Sequence, residues 1–327
     1  MGYFYKPNDT LEKQINEYFD GLEKCNRECF DGALSVILLG SLSRGEATWI
    51  ETENGPLMVS DIEYFTVYPD GFTRFDEFSQ KEADTAKAVF GKDRSSLFHI
   101  DNSFISKSAL ASIERKLLTY DAKCMGKTVV GKDCLSLIPE ITLENINLWD
   151  IKDILTHRAF SVLYYGFPLK NVGNETEYRY NLAKNSLDLM TVMLVNHGIL
   201  ESGFINRQRL IDKLDIPNEY KSYFEFCLSI KLSSECKSDY TTQEMERLFV
   251  KLSRELYKDF RLPLRNLLVN SKSVIRRALG IIKRAFIYKA LPSPAHLTSL
   301  IDSIENGTEL SAKQKKTNLI LNGYPVE

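Results

Sequence analysis

The sequence has few of the residues that build metal centres or disulfide frameworks. Its 327 residues include six cysteines and four histidines, and no two cysteines form a CxxC pair. Structural zinc sites need such ligands at close spacing, so the sequence argues against a zinc site. Scattered cysteines are typical of free thiols in a reducing compartment, and we therefore expect a cytoplasmic protein.

Long apolar runs and an excess of positive charge are missing as well. No run of eighteen apolar residues occurs, and the polar first ten residues lack the apolar region of a secretory signal, so we expect neither a membrane span nor a signal peptide. The net charge of −2 gives no general signature of a nucleic-acid partner. A hydrophobic content of 43% is typical of a globular protein, and the length suffices for two domains.

The pattern of apolar residues changes near residue 140. Before this point, short apolar or alternating segments predict strands at 33–39, 59–68 and 96–105, with helices from Leu11, over 75–90 and over 106–118. Beyond it, only helical periodicity remains, over 143–166, 175–198, 217–231, 241–258 and 264–289. We therefore predict an α+β protein: a mixed sheet flanked by helices over residues 1–140, followed by an all-helical domain over 141–327.

A glycine-containing segment follows the first predicted strand. Gly40 and Ser41 are predicted to form a tight turn that ends at Gly45, and a short helix after Gly45 would add to its preference for anions. Glycine at a strand end frees backbone amides to face a ligand, while a serine hydroxyl and the guanidinium of Arg44 add further donors. Residues 40–45, hereafter the Gly-Ser segment, are therefore a candidate phosphate cradle.

Three acidic residues on neighbouring predicted strands form the second part of a candidate site. Asp61 and Glu63 stand two residues apart, which places both side chains on one face of a strand. Asp101 lies on the next predicted strand, and an antiparallel pairing would place it opposite the other two. Clustered carboxylates with only oxygen ligands favour Mg²⁺, or Mn²⁺, over softer metals. Two such ions beside a phosphate cradle are suited to phosphoryl transfer.

These motifs resemble the signature of the polymerase-β-like nucleotidyltransferase superfamily. Residues 39–46 (LGSLSRGE) and 60–64 (SDIEY) are similar to its Gly-Ser motif followed by two spaced acids, and 99–105 (HIDNSFI) is similar to the strand with the third carboxylate. The helix at 180–189 resembles the helical domain of small bacterial members of the aminoglycoside-nucleotidyltransferase type. In these members a lysine can reach the NTP phosphates, and the resemblance assigns that role to Lys184.

The resemblance implies an enzyme that transfers a nucleoside monophosphate from an NTP to an acceptor hydroxyl and releases pyrophosphate. The acceptor stays open: a small molecule, a sugar, a protein side chain, a tRNA end or a second nucleotide, the last as in cyclic-nucleotide synthases. Glu63 stands where Asp is commoner, and residues 47–58 form an insertion that we predict to be an extended hairpin. Both departures favour an alternative, a catalytically weak nucleotide-binding module such as a toxin–antitoxin component.

A basic amphipathic stretch occupies residues 261–289. It holds eight lysines and arginines and no acidic residue, interleaved with apolar side chains. Such a helix fits an anionic membrane surface as a peripheral contact, a phosphate-rich acceptor, or simple packing of its apolar face with its cations in water.

Overall fold

The computed structural model describes residues 2–30, 35–91, 98–233, 239–259 and 294–311. The basic stretch 261–289 and the predicted helix 264–289 lie outside them. The chain divides into two compact units. The first contains Met1–Ile141 together with Ser202–Phe204 and Lys231–Ser234. The second contains Thr142–Glu201, Ile205–Ile230 and Glu235–Glu327.

The predicted α+β fold is confirmed by the strands and helices of the chain. Six strands occur in the described residues: β1 Ser35–Leu38, β2 Trp49–Thr52, β3 Gly55–Met58, β4 Ile62–Tyr68, β5 Ile100–Ser106 and β6 Lys127–Gly131. The helices there are α1 Asp9–Cys29, α2 Gly40–Arg44, α3 Phe75–Phe90, α4 Lys107–Ala111, α5 Leu117–Met125, α6 Leu148–Ser161, α7 Phe167–Asn171, α8 Glu175–Asn196, α9 Phe204–Ile211, α10 Asn218–Ser233, α11 Thr242–Asp259 and α12 Pro294–Glu305. A π-helical turn, Val162–Gly166, joins α6 to α7.

A four-stranded mixed sheet lies at the centre of the first unit, in the order β5-β4-β1-β6. Strand β1 pairs antiparallel with both β4 and β6. The side chains of β1 and β4 alternate between two apolar clusters, as the period of a strand requires. One cluster contains residues of α1 and α3, and the other contains residues of α4 and α5. The sheet is therefore covered by helices on both faces.

Strands β4 and β5 pair in parallel, so the predicted antiparallel pairing of Asp101 is wrong. In the sequence, helix α3 lies between these two strands. It returns the chain to the end of the sheet at which β4 begins, so β5 starts beside the start of β4. A strand-helix-strand connection of this kind produces parallel neighbours. The parallel register nevertheless pairs Glu63 directly with Asp101.

Local capping signals fix several helix bounds. The Asn8 side chain accepts a hydrogen bond from the Leu11 amide at 3.1 Å, as expected for the cap of α1. The predicted helix 75–90 is confirmed as α3. The single helix predicted over 106–118 is wrong, because helix α4 ends at Ala111 and a second helix, α5, begins at Leu117.

All secondary-structure elements in the described residues of the second unit are helices. Helix α8 is buried along nearly its whole length and packs against α6 and α11, while α12 packs against both of these. A helix that is buried on all sides holds the centre of such a bundle. Helices α8, α10 and α11 match their predicted spans, whereas α9 was not predicted. Among the described helices, none combines the length and apolarity needed to cross a bilayer.

A half-buried carboxyl on α3 gives this fold a distinct pH dependence. Burial raises the pKa of Glu82 to about 7, although a hydrogen bond from Asn102 Nδ2 at 3.0 Å lowers it in part. The folded protein therefore binds a proton that the unfolded chain releases near its ordinary pKa. Stability should be highest below pH 4.5 for this group and fall as the pH rises towards 7.

We expect Glu82→Gln to remove this loss of stability at higher pH, since an amide keeps the contact with Asn102 without a charge. The wild-type free energy of unfolding should fall relative to that of the variant by about 2 kcal/mol between pH 5 and pH 8. Urea unfolding at both pH values measures this difference, with Asp84→Asn, an exposed acid on the same helix, as control. Equal pH dependence of wild type and Glu82→Gln would contradict the buried-carboxyl assignment.

Candidate functional site

The Gly-Ser segment forms a one-turn helix rather than the predicted tight turn. Gly40 and Ser41 are the first residues of α2, and Ser43 Oγ donates to the Gly40 carbonyl at 2.9 Å. Gly45 adopts a left-handed conformation with φ of 70° and ends the helix. Left-handed glycine is a common helix terminator, so the short helix predicted after Gly45 is wrong. The chain continues there as β2.

Gly40 packs directly against the carboxylate of Glu63. Its φ of 64° lies in the left-handed region, and a Cβ atom at this position would overlap Oε2 of Glu63. The Leu39 amide also donates to the Glu63 carbonyl at 2.7 Å. Strand β4 therefore places its acidic residue beside the start of the Gly-Ser segment, and a side chain at position 40 would displace the Glu63 carboxylate.

The three predicted acids lie where strands β4 and β5 begin. Asp61 immediately precedes β4, and its Oδ1 accepts a hydrogen bond from the His99 amide at 3.0 Å. Glu63 and Asp101 are register partners on the parallel pair. Asp101 is exposed, whereas Asp61 and Glu63 are half-buried. The acids are thus neighbours by strand position, although within the described residues no three Asp, Glu, His or Cys side chains form a ready metal cluster.

Arg44 forms ion pairs with two acids, Glu46 and Asp121, and Asp121 lies on α5. Its Nε lies 2.8 Å from Glu46 Oε2, and its Nη1 lies 3.7 Å from Asp121 Oδ2. Burial by itself would lower the pKa of Arg44, but the charges of Asp121, Glu46 and Glu63 outweigh it and raise the pKa. The side chain is only 7% exposed, so its positive charge is buried next to these two acids.

Lys231 is a buried cation of the first unit that the sequence did not reveal. Its Nζ donates to the hydroxyls of Ser60 at 3.0 Å and Thr48 at 3.2 Å, and to the Glu46 carbonyl at 3.4 Å. The Thr48 hydroxyl also donates to the Lys231 carbonyl. Ser60 immediately precedes Asp61, so this lysine joins the two chain segments that carry the candidate site. A lysine near the end of a helix gives no sequence signal for such a role.

We expect Lys231→Met to destabilise the protein, because the carbonyl and two hydroxyls would lose a buried donor. The expected loss is about 1–3 kcal/mol in the free energy of unfolding. Urea denaturation measures it, and Lys221→Met on the same helix is the control. Lys221 is more exposed and donates to a single carbonyl, that of Asp212. Lys221→Met should therefore lower the free energy of unfolding by no more than about 0.5 kcal/mol. Equal losses for the two variants would contradict the bridging role of Lys231.

Lys184 lies on α8 in the second unit, and its predicted contact with NTP phosphates stays a prediction. It is half-buried near His157 and Arg158. Burial first, and then the charges of Arg158 and Lys184, lower the pKa of His157 to about 3. Arg158 pairs with Asp188 at 2.6 Å. The second unit therefore contains a neutral imidazole beside two cations.

The insertion over 47–58 is the predicted hairpin. Strands β2 and β3 pair antiparallel from Trp49↔Met58 to Thr52↔Gly55. At its base the amides of Val59 and Ser60 donate to the Thr48 carbonyl at 3.1 and 3.3 Å. The two ends of the hairpin are thus joined between Thr48 and Ser60, and Ser60 immediately precedes Asp61.

Similarity to known proteins is found among solved structures. A scan against protein-family models and a search of curated proteins find no match. Among solved structures, the chain is similar to spectinomycin adenyltransferase AAD(9) from Enterococcus faecialis, whose crystal structure contains ATP and spectinomycin. The similarity covers 75% of this chain and 98% of that chain, at 15% sequence identity and a TM-score of 0.45.

Proposed function

We propose that this protein is a magnesium-dependent nucleotidyltransferase. It would transfer a nucleoside monophosphate from an NTP to an acceptor hydroxyl and release pyrophosphate. The observation that carries the proposal is the pairing of Glu63 with Asp101 on adjacent strands, with Gly40 packed against Glu63. This pairing gathers two acids and the Gly-Ser segment, which are separated in the sequence, at one edge of the sheet.

Asp61, Glu63 and Asp101 would hold the metal. Their donors are all carboxylate oxygens, the ligands that Mg²⁺ prefers and Mn²⁺ accepts. The fit rests on position: Asp61 and Glu63 stand two residues apart, and Asp101 is the register partner of Glu63. Bound there, two ions would neutralise the triphosphate and increase the acidity of the acceptor hydroxyl.

The Gly-Ser segment would hold the triphosphate. The first amides of a helix have no acceptor within it, so those at Gly40 and Ser41 suit phosphate oxygens, with the Ser41 hydroxyl as a further donor. Arg44, the last residue of α2, would add its charge, and Lys231 would add charge beside Ser60. Lys184 would contribute from the second unit. These positive charges would orient an anionic substrate.

The reaction needs one proton acceptor and one leaving group. The acceptor oxygen attacks the α-phosphorus, its proton passes to Asp101, and the bond from the α-phosphorus to the bridging oxygen breaks so that pyrophosphate leaves with the bonding electrons. Asp101 is exposed, which gives an acceptor direct access to its carboxylate. Positioning and charge neutralisation would supply most of the rate acceleration. The acceptor would be a small molecule, sugar, protein or nucleotide hydroxyl.

A second candidate is a nucleotide-binding module with little turnover. The observation that favours it is the attraction between Glu63 and the buried charge of Arg44, which would compete with a metal for this carboxylate. Such a module would bind NTP and act through a partner, as in a toxin–antitoxin pair.

Labelled NTPs distinguish the two candidates. The full-length protein is incubated with each α-labelled NTP and Mg²⁺, with and without cell extract, and products are followed by pyrophosphate release and mass. The enzyme hypothesis predicts an NMP adduct and an equal amount of pyrophosphate that depends on extract or a defined acceptor. Saturable NTP binding without pyrophosphate in every mixture would contradict turnover and support the binding module.

A further inference from the structure

We infer that Lys231 is a positioning residue for the proposed metal site, because its buried ammonium fixes Asp61 relative to the Gly-Ser segment. The inference rests on the proposed function, since it concerns the geometry of the same metal-binding carboxylates. Lys231 lies near the C-terminal end of α10, far along the chain from both motifs. The inference goes beyond a general contribution of positive charge, because it assigns the effect to the contacts that the ammonium makes.

The ammonium of Lys231 is closed off from solvent. The residue is only 1% exposed, so neither a metal ion nor a nucleotide can reach it directly. Its effect on either ligand must pass through the groups that it binds, which are the hydroxyls of Ser60 and Thr48 and the carbonyl of Glu46. All three residues are buried as well. Hydrogen bonds from a charged donor are strong in such surroundings and restrain the atoms they join.

On the acidic side, Lys231 fixes the residue before Asp61. The Ser60 hydroxyl accepts from Lys231 Nζ at 3.0 Å and from the Thr48 amide at 2.8 Å. The Ser60 amide in turn donates to the Thr48 carbonyl at 3.3 Å, so side chain and backbone are both held. Successive Cα atoms are about 3.8 Å apart, and a fixed Ser60 therefore leaves Asp61 little freedom of position. The His99 amide then orients its carboxylate through Oδ1.

On the other side, Lys231 reaches the residue that follows the Gly-Ser segment. Its Nζ donates to the Glu46 carbonyl at 3.4 Å. The Glu46 amide donates to the Ser41 carbonyl at 2.8 Å, and the Glu46 carboxylate accepts from Arg44 Nε at 2.8 Å. Glu46 is thus bound to both the first and the last turn of this short segment. One ammonium therefore joins the strand with the metal ligands to the segment proposed to hold the triphosphate.

Three roles of Lys231 predict different changes in metal affinity when the lysine is removed. A positioning role predicts weaker binding, because Asp61 loses its fixed place. A role of the charge alone predicts stronger binding, since a nearby cation repels a divalent ion. A residue that only stabilises the fold would leave the affinity of the folded protein unchanged. The sign of the change therefore separates the three roles.

The test is Mn²⁺ binding by the full-length protein, measured from the electron paramagnetic resonance signal of the free ion. We expect Lys231→Met to raise the dissociation constant about tenfold, as is typical when a partner outside the metal ligands is lost. Leu22→Ala, which empties a buried position on α1 outside both segments, should lower stability and leave the dissociation constant unchanged. Thermal unfolding confirms that each variant is folded at the temperature of the titration.

A double variant tests the route through Ser60. Ser60→Ala keeps the lysine and its charge but removes a hydroxyl that the lysine binds, so it should also raise the dissociation constant about tenfold. It provides the same test if Lys231→Met does not fold. If both residues act on Asp61 through their shared contact, the double variant should stay at about tenfold. Independent effects would multiply to about a hundredfold.

An unchanged or lower dissociation constant in folded Lys231→Met would overturn the inference, as would the same result in Ser60→Ala or a double variant at about a hundredfold. Failure of the proposed function is recognised separately with Asp61→Asn, which should abolish Mn²⁺ binding. If it does so and Lys231→Met has no effect, the metal site stands and the positioning role is wrong. If wild type binds no Mn²⁺, or Asp61→Asn binds it as tightly as wild type, the metal site itself is wrong and the inference falls with it.

Discussion

We expect Asp61→Asn to lower the rate of pyrophosphate release by at least about a thousandfold while the protein stays folded. Asparagine lacks the negative charge that a metal ligand supplies. Its side-chain oxygen can still accept the hydrogen bond that the His99 amide donates to Asp61 at 3.0 Å. The loss should therefore appear in turnover and metal binding, with the far-ultraviolet circular dichroism spectrum and the midpoint of thermal unfolding close to wild type.

A matched surface variant separates the role of Asp61 from general charge effects. Asp76→Asn removes an exposed carboxylate in the first turn of α3 and should keep the full rate. Pyrophosphate release is measured for both variants at saturating NTP and Mg²⁺. A folded Asp61→Asn protein that retains more than about a tenth of the wild-type rate would remove Asp61 from the catalytic set.

The second large effect concerns Gly40. We expect Gly40→Ala to lower turnover by at least about a hundredfold and to destabilise the fold by about 2–3 kcal/mol. The methyl group would force a side chain into a left-handed backbone and would overlap Oε2 of Glu63. The carboxylate must then move away from the Gly-Ser segment. Rates of pyrophosphate release and urea unfolding measure the two consequences.

Gly71→Ala is the control for backbone strain without the overlap. Gly71 has a φ of 86°, and an added methyl group would meet nothing within 4 Å. Its substitution should cost about 1 kcal/mol and leave turnover unchanged. The difference between the two variants isolates the displacement of Glu63. Equal effects of both substitutions on rate would show that the packing of Gly40 on Glu63 has no role in activity.

Local sequence signals predicted much of this fold. Helix α3 was predicted over its full length, because apolar periodicity and a following glycine bound it clearly. The hairpin 47–58 followed from the spacing between the two motifs. The Gly-Ser segment was assigned to a turn because five residues are too few to show helical periodicity.

Non-local features were predicted less well, and the reason is physical. The direction of β5 relative to β4 depends on the path of α3, which pattern matching over single strands does not follow. The helix had been predicted, and applying the rule for strand-helix-strand connections would have given the parallel pairing. The identity of the facing residues, Glu63 and Asp101, needs the register as well, and register is fixed only by packing of both faces.

Lys231 shows a second kind of gap. It lies 171 residues from its partner Ser60, in a segment with no motif of its own. A buried lysine and a solvated lysine look the same in a single sequence, since both interrupt an apolar pattern. Arg44 is similar: its sequence position indicated a phosphate contact, while its distant acidic partner Asp121 appears only in the folded chain.

The central claim is that Asp61, Glu63 and Asp101 bind a divalent ion beside the Gly-Ser segment. Crystals grown with Mn²⁺ and a non-hydrolysable NTP analogue test it most directly through the anomalous scattering of manganese. We predict anomalous peaks within coordination distance of all three carboxylates, next to the triphosphate at Gly40 and Ser41. A nucleotide bound elsewhere, or manganese peaks away from these carboxylates, would contradict the account.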